Sequence, residues 1–350
     1  MNHQRMYEDG PGAGAKAPIL VTHFEGAMDA GAAGTLATVQ LLRTLSPERV
    51  ATFDIDELID YRSHRPVMTM EDWVTTDVVT PEIALDLVHD DAGTPVLVLH
   101  GPEPDARWEA FARDIADIAK NAGVELVASF HGVPAAVPHT RPTAVHVQST
   151  DKELVPEQSL MGGVMRFPAP LSAFLQYRLS KQGIHGMGLV AAVPYYMSES
   201  TFPRAGSALL SKLSELTDLS LPIGDLEQGA DEDAGQVERA LESNPDVHRA
   251  VESLENHYDA VIRGEASFLT TPVEDESLES VDENVGEALG EAIERYLRSQ
   301  SASSQSSGSQ SAGQQSDGQT ESGAESDGSD FPPRGRHRAP KPWEGDPDSQ

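Results

Sequence analysis

An α/β fold is predicted by three observations: short, near-continuous apolar runs, amphipathic stretches between them, and polar turns bearing glycine or proline where each run ends. The runs at Ile19-Leu20-Val21, Pro95 to Leu99 and Val124 to Phe130 read as strands buried on both faces, as in a parallel sheet. Strand, turn and helix in alternation, with short connections, predict a three-layer sandwich with a mostly parallel central sheet.

The first strand enters a turn, Phe24-Glu25-Gly26-Ala27-Met28-Asp29-Ala30-Gly31, and then an Ala-rich helix with Leu36, Val39, Gln40 and Leu42 over its turns. A helix N-terminus can receive an anion. Here Asp29 can supply that anion from the chain as an N-cap, so a structural turn and part of a ligand site both remain open. The glycines at 26, 31 and 34 do not fit G-x-G-x-x-G, and no Lys-Ser or Lys-Thr follows, which excludes a nucleotide P-loop.

Val50 to Phe53 is a second strand, leading into the charged connection Asp54 to Pro66, where Arg62 and Arg65 can pair with the acids. Val67, Met68, Met70, Trp73 and Val74 suggest an extended hairpin-like excursion. Pro81 to Asp90 reads as a short helix with proline in its first turn. After the strand at Pro95 to Leu99, a helix with Trp108, Phe111, Ile115 and Ile118 is expected, capped by Asp105. Ala144 to Val147 and Ile184 to Val193 complete the strands. Leu171, Phe174, Leu175 and Leu179 mark one helix, and Leu209, Leu210, Leu213 and Leu216 another, capped by Ser200.

Past Leu221-Pro222 the composition changes. A helix from Asn244-Pro245 carries Val247, Val251, Leu254, Tyr258 and Val261 on one stripe, and a second is expected from Glu276 to Arg298, an antiparallel pair. The expected organisation is a flexible N-terminus at 1–16, an α/β domain at 17–222, a helical extension at 223–298 and a disordered acidic tail at 299–350. The tail is rich in Ser, Gly and Gln, too poor in apolar residues to fold, and includes a basic, Pro-rich patch, Pro332 to Trp343.

The 57 acidic residues outnumber the 25 basic ones, for a formal net charge of −32. Such a surface repels nucleic acid and anionic lipid, so neither is an expected partner. With no cysteine, disulfides, thiolate metal sites and a Cys nucleophile are excluded. The absence of a signal-like apolar core and of an apolar run near ~20 residues makes a soluble cytoplasmic protein the expectation.

Acids, histidines and arginines gather at the predicted strand ends and connections: Glu25, Asp29, Arg62, His100, Glu103, His131, His139 and Arg141. Convergence at one sheet edge makes these a candidate pocket. No H-E-x-x-H, no G-x-S-x-G and no histidine pair at i, i+4 is present, so no catalytic, cofactor-binding or metal-ligating role is assigned and no cofactor is expected.

The stretches FEGAMDAG (24–31), FDIDELIDYRSHRP (53–66), LHGPEPDARWEAF (99–111), HGVPAAVPHTRP (131–142) and VPYYMSESTFPRAG (193–206) occur in one order, with Glu252 to Asp259 further on. Together they resemble the proteasome assembly chaperone family, in particular its actinobacterial branch. The resemblance covers about residues 18–265. It implies a phosphorylase/hydrolase-like α/β fold, subunits that associate into a homo-oligomer (a trimer among the candidates), and a binding or assembly role with proteasome subunits as clients. Bacterial relatives are often labelled ATP-grasp or carboxylate–amine ligases. This sequence offers neither a glycine-rich phosphate loop with a lysine nor an acidic metal pair on a strand. Eukaryotic members dock through a C-terminal hydrophobic-Tyr-X motif; the similar pair here, Tyr296-Leu297, is internal, so that mode is not expected. The expectation is therefore a non-catalytic protein-binding or assembly protein. The alternative is a phosphorylase- or hydrolase-like enzyme acting on a small anionic or nucleoside-like ligand.

Overall fold

The computed structural model describes residues 5–26, 28–156, 164, 166–230 and 245–263. The helix expected from Glu276 to Arg298 and the tail at 299–350 lie outside the described residues. Ten strands are described: β1 (Tyr7–Asp9), β2 (Ile19–Glu25), β3 (Glu48–Phe53), β4 (Val67–Glu71), β5 (Val74–Val79), β6 (Ala84–His89), β7 (Pro95–Pro102), β8 (Leu126–Ala135), β9 (Val145–Ser149) and β10 (His185–Pro194). The helices are α1 (Ala33–Thr44), α2 (Ile55–Leu58), α3 (Trp108–Ala122), α4 (Leu171–Ser180), α5 (Pro203–Thr217) and α6 (Pro245–Ile262).

Eight strands form one sheet in the order β1-β3-β6-β7-β2-β8-β10-β9. The central block β7-β2-β8-β10 is parallel, and its apolar runs are buried on both faces, as such strands require. Both flanks are antiparallel: β1, β3 and β6 on one side, β9 on the other. The sheet is therefore mixed, which corrects the expectation of a mostly parallel one. The main cause is the segment read as a helix from Pro81 to Asp90. Its residues 84–89 are strand β6, turned back onto β7 through a tight connection in which Asp90 accepts the N–H groups of Ala92 and Thr94.

Two hydrophobic cores lie on opposite faces of the sheet. α1, α5 and α6 cover one, contributing Ala37, Leu41, Leu209, Leu213, Val251 and Leu254. α3 and α4 cover the other with Phe111, Ile115, Leu171, Leu175 and Leu179. Three layers result. α1 seats Ala33, Ala37 and Leu41 against the strands; of the residues expected to face inward, Gln40 is buried and Leu36 and Leu42 pack at the margin of the core, whereas Val39 is exposed. The small side chains at i and i+4, Ala33 and Ala37, let the start of the helix lie close to the strands.

The start of the chain, expected to be loose through residue 16, supplies the edge strand β1. Met6 is buried and its N–H donates to the buried Asp114 carboxylate at 2.9 Å, which ties this stretch to α3. Asp105 does not cap α3: it accepts from the N–H of Asp60 and the hydroxyl of Ser63 instead, and Arg107 in the left-handed region precedes the helix. Nor does Ser200 cap α5, which starts with Pro203 after Phe202. The excursion after Pro66 is the two-stranded sheet β4–β5, every residue of which is exposed. Among the described residues no helix is long and apolar enough to cross a membrane.

Candidate functional site

The turn after β2 is built around one carboxylate. Asp29 Oδ1 accepts the N–H of Gly34 at 2.6 Å, and Oδ2 accepts the N–H and hydroxyl of Thr35 at 3.3 and 2.7 Å. Asp29 thus occupies the anion position at the start of α1 with a side chain from the chain itself. Beneath it His23 is buried, its Nε2 3.1 Å from Thr35 Oγ1 and 3.5 Å from Asp29 Oδ2. Burial pushes the Asp29 carboxyl up, but the bond and charge of His23 and the bonds from Thr35 and Gly34 hold it below its ordinary value. Gly34 makes this possible, because a Cβ there would stand 2.4 Å from His23 Nδ1. The chain pinches again at Gly132, which donates its N–H to Met28 O at 2.7 Å; a Cβ there would meet Ala30 O at 2.2 Å. Met28 and Ala32, with φ of 53° and 50°, hold the turn in a conformation that L residues seldom adopt.

On the opposite face of β8, Ser129 and His131 alternate inward toward α4. His131 Nε2 lies 2.8 Å from Ser129 Oγ and 3.2 Å from Ser172 Oγ. Gln176 donates to Ser129 Oγ at 2.7 Å and to Met187 O at 2.8 Å. The other ring nitrogen of His131 is buried and has no hydrogen-bond partner among the described residues. Burial, assisted by the charge of His23 and opposed by that of Asp29, pushes the ring down to about 4 from 6.5. It is neutral near pH 7.

His139 is tied to Tyr196 and to Arg204 of α5, and Arg141 fastens α6. The Tyr196 hydroxyl sits 2.9 Å from the His139 N–H and 2.8 Å from its Nδ1. Arg204 donates to His139 O at 2.7 Å. Burial, with the Arg204 charge adding to it and Glu255 opposing it, pushes the His139 ring down to about 4. Arg141 grips Asp259 with two bonds of 3.0 Å each and lies 3.2 Å from Glu255, while the Tyr258 hydroxyl donates to Pro142 O at 2.9 Å.

The remaining candidates have their own partners. His100 Nε2 lies 2.8 Å from Asp86 Oδ2, and Arg49 donates to Asp86 Oδ1 at 2.7 Å. Glu103 accepts the N–H of Leu171 at 2.6 Å, which satisfies the start of α4, and its own N–H donates to Glu25 O at 3.2 Å. Glu25 is exposed at the strand end. Arg62, at the surface, pairs with Asp60 at 2.6 Å and holds that carboxyl at about 2. Among the described residues, no side-chain hydrogen bond joins two of the eight candidates. A cavity of about 320 Å³ lies elsewhere, between β1 and the end of α3, with Tyr7, Val50, Leu97, Ile118 and Asn121 in its wall. No group of three or more His, Asp or Glu side chains among the described residues is arranged to hold a metal ion.

Sequence reasoning did not find His23, Asp86, Ser172, Gln176, Tyr196, Glu255 and Asp259 as members of these networks. Two signals were available. Ser129 and His131 at i, i+2 share one face of a strand, and Glu255 and Asp259 at i, i+4 share one face of a helix. The others meet their partners across elements, which no local pattern reveals.

This α/β sandwich, with polar side chains spent on fastening its elements, matches a known class of protein. The model of the PAC2 family matches residues 23–241, and the chain belongs to that family. A Mycobacterium tuberculosis protein of unknown function is 35% identical, with a TM-score of 0.70 over 76% of this chain and 92% of that one. A Corynebacterium glutamicum protein of unknown function is 33% identical, with a TM-score of 0.70 over 75% and 99% of the two chains. A Mycobacterium tuberculosis proteasome-assembly chaperone homologue is 26% identical, with a TM-score of 0.59 over 63% and 94%. No curated protein matches the chain.

Proposed function

We propose that this chain is a non-catalytic, self-associating protein of the assembly-chaperone kind, with proteasome subunits as its clients. The observation that carries the reading is where its uncovered apolar residues stand. Val67, Met68, Met70, Trp73, Val74 and Val78 are exposed together on the β4–β5 hairpin, whereas the buried histidines and acids are bonded into the scaffold. Apolar residues grouped in solvent mark a protein-binding surface. The likeness to a proteasome-assembly chaperone homologue favours subunits of that particle as the partner.

The test mixes the purified full chain with purified proteasome α subunits and follows the mixture by size-exclusion chromatography with light scattering. The expected result is a stoichiometric complex. No complex, together with a small anion that raises the melting temperature, would instead favour a ligand-binding enzyme.

A further inference from the structure

Residues 5–17 form an arch between the edge of the sheet and the end of α3. One foot is β1, paired with β3; beyond it Gly10 and Gly12 donate their N–H groups to Val50 O and Arg49 O at 2.9 and 2.8 Å. A Cβ at Gly10 would stand 2.4 Å from Arg49 O, so glycine is what lets the chain lie this close. The other foot is held by the Ala17 N–H on Ala122 O at 3.1 Å and by Lys16 Nζ on Asn121 O at 2.5 Å. Between the feet runs Gly12-Ala13-Gly14-Ala15, which has no large side chain to fill the space beneath. That space is the cavity of about 320 Å³.

Its inner wall is apolar: Val50, Leu97 and Ile118, with Ala51 and Ala122 leaving room between them. Small-molecule sites span about 300–1,000 Å³, so this one suits a ligand at the small end. The mouth is polar and carries one charge of each sign. Arg5 and Asp9 line it, both exposed and 3.0 Å apart, and the Arg5 guanidinium lies 4.4 Å over the Tyr7 ring. Arg5 Nε donates to Tyr7 O and Nη1 to Asp9 Oδ2; among the described residues Nη2 has no hydrogen-bond partner. The exposed Asn121 adds a carboxamide. An apolar interior behind paired opposite charges fits a ligand with an apolar body and a zwitterionic head. A net anion would face Asp9 on a chain of net charge −32, and a net cation would face Arg5.

We infer that this cavity binds a free α-amino acid with a large apolar side chain. The side chain enters beneath the arch, the carboxylate accepts from Arg5 and Asn121, and the ammonium donates to Asp9. The site shares no residue with the β4–β5 hairpin, so it is a ligand site additional to the protein-binding role.

Isothermal titration calorimetry of the full chain tests it with L-phenylalanine and L-leucine. Each is compared with the same molecule lacking its ammonium (hydrocinnamate, isocaproate) or its carboxylate (phenethylamine, isoamylamine). One of the two amino acids is expected to bind at a single site per chain, with its analogues about tenfold or more weaker. Arg5→Gln and Asp9→Asn, at side chains 50% and 51% exposed, are expected to melt like the wild type. Each should lose about tenfold or more in affinity for the amino acid. Bound ligand should slow amide exchange at Gly10, Gly12 and Ala17, the ties of the arch. Absence of binding by both amino acids at millimolar concentration would overturn the inference. So would an analogue that binds as tightly as its parent, or binding that survives both substitutions.

Discussion

At the scale of single residues, the polar groups of this protein act as fasteners. Asp29 satisfies two backbone N–H groups and a hydroxyl at the start of α1, so Asp29→Ala is expected to lower stability by roughly 2 kcal/mol, with Asp29→Asn losing less. The urea unfolding midpoint measures this; an unchanged midpoint would leave Asp29 free for another role. The buried rings of His131 and His139 make a pH prediction. Both protonate near 4 in the folded chain and near 6.5 when unfolded, so between these values the unfolded state binds more protons. Their contribution is fully present above about 6.5 and is lost as pH falls toward 4. By about pH 5 the loss is of the order of 1–2 kcal/mol per ring. Denaturant titrations near pH 7 and pH 5 should show a smaller drop in the double variant His131→Gln/His139→Gln than in the wild type. An equal drop in both would contradict the assignment.

At the scale of elements, α6 depends on a charged clamp. Arg141 is its main tie to the loop before β9, through Asp259 and Glu255. Arg141→Ala should reduce hydrogen-exchange protection across Val251 to Tyr258 while leaving β2 and β7 unchanged, and high salt should act on the wild type in the same direction. Uniform loss of protection would instead make α6 part of the global core. The elements also show what was legible in sequence. The central strands and the helices with continuous apolar stripes were readable because burial on both faces, or on one stripe, leaves a local pattern. Strand β6 was not. In Ala84–His89, Leu85 and Leu87 face one core, but between them Asp86 turns to the other face, where it is hydrogen-bonded to Arg49 and His100. Those partners lie 37 and 14 residues away, beyond any local pattern, and Pro81 read as a helix start. The candidate site was partly legible for the same reason. Its residues were proposed by type and position at strand ends and connections, and the partners they take, such as Tyr196 for His139 or Leu171 for Glu103, come from remote stretches.

At the scale of the whole molecule, an inwardly bonded α/β sandwich of the PAC2 family carries the exposed apolar β4–β5 hairpin, proposed above as its surface for protein partners. Its net charge of −32 makes non-specific association with nucleic acid unfavourable and leaves short complementary patches to choose partners. The measurement that tests this most directly is affinity purification of the tagged full chain from a lysate of the cells that make it, with mass spectrometry of what accompanies it. Proteasome α subunits are predicted in stoichiometric amount, reduced when the β4–β5 hairpin carries Met70→Ser with Trp73→Gly. Recovery of the chain by itself, with the same result for wild type and hairpin variant, would contradict it.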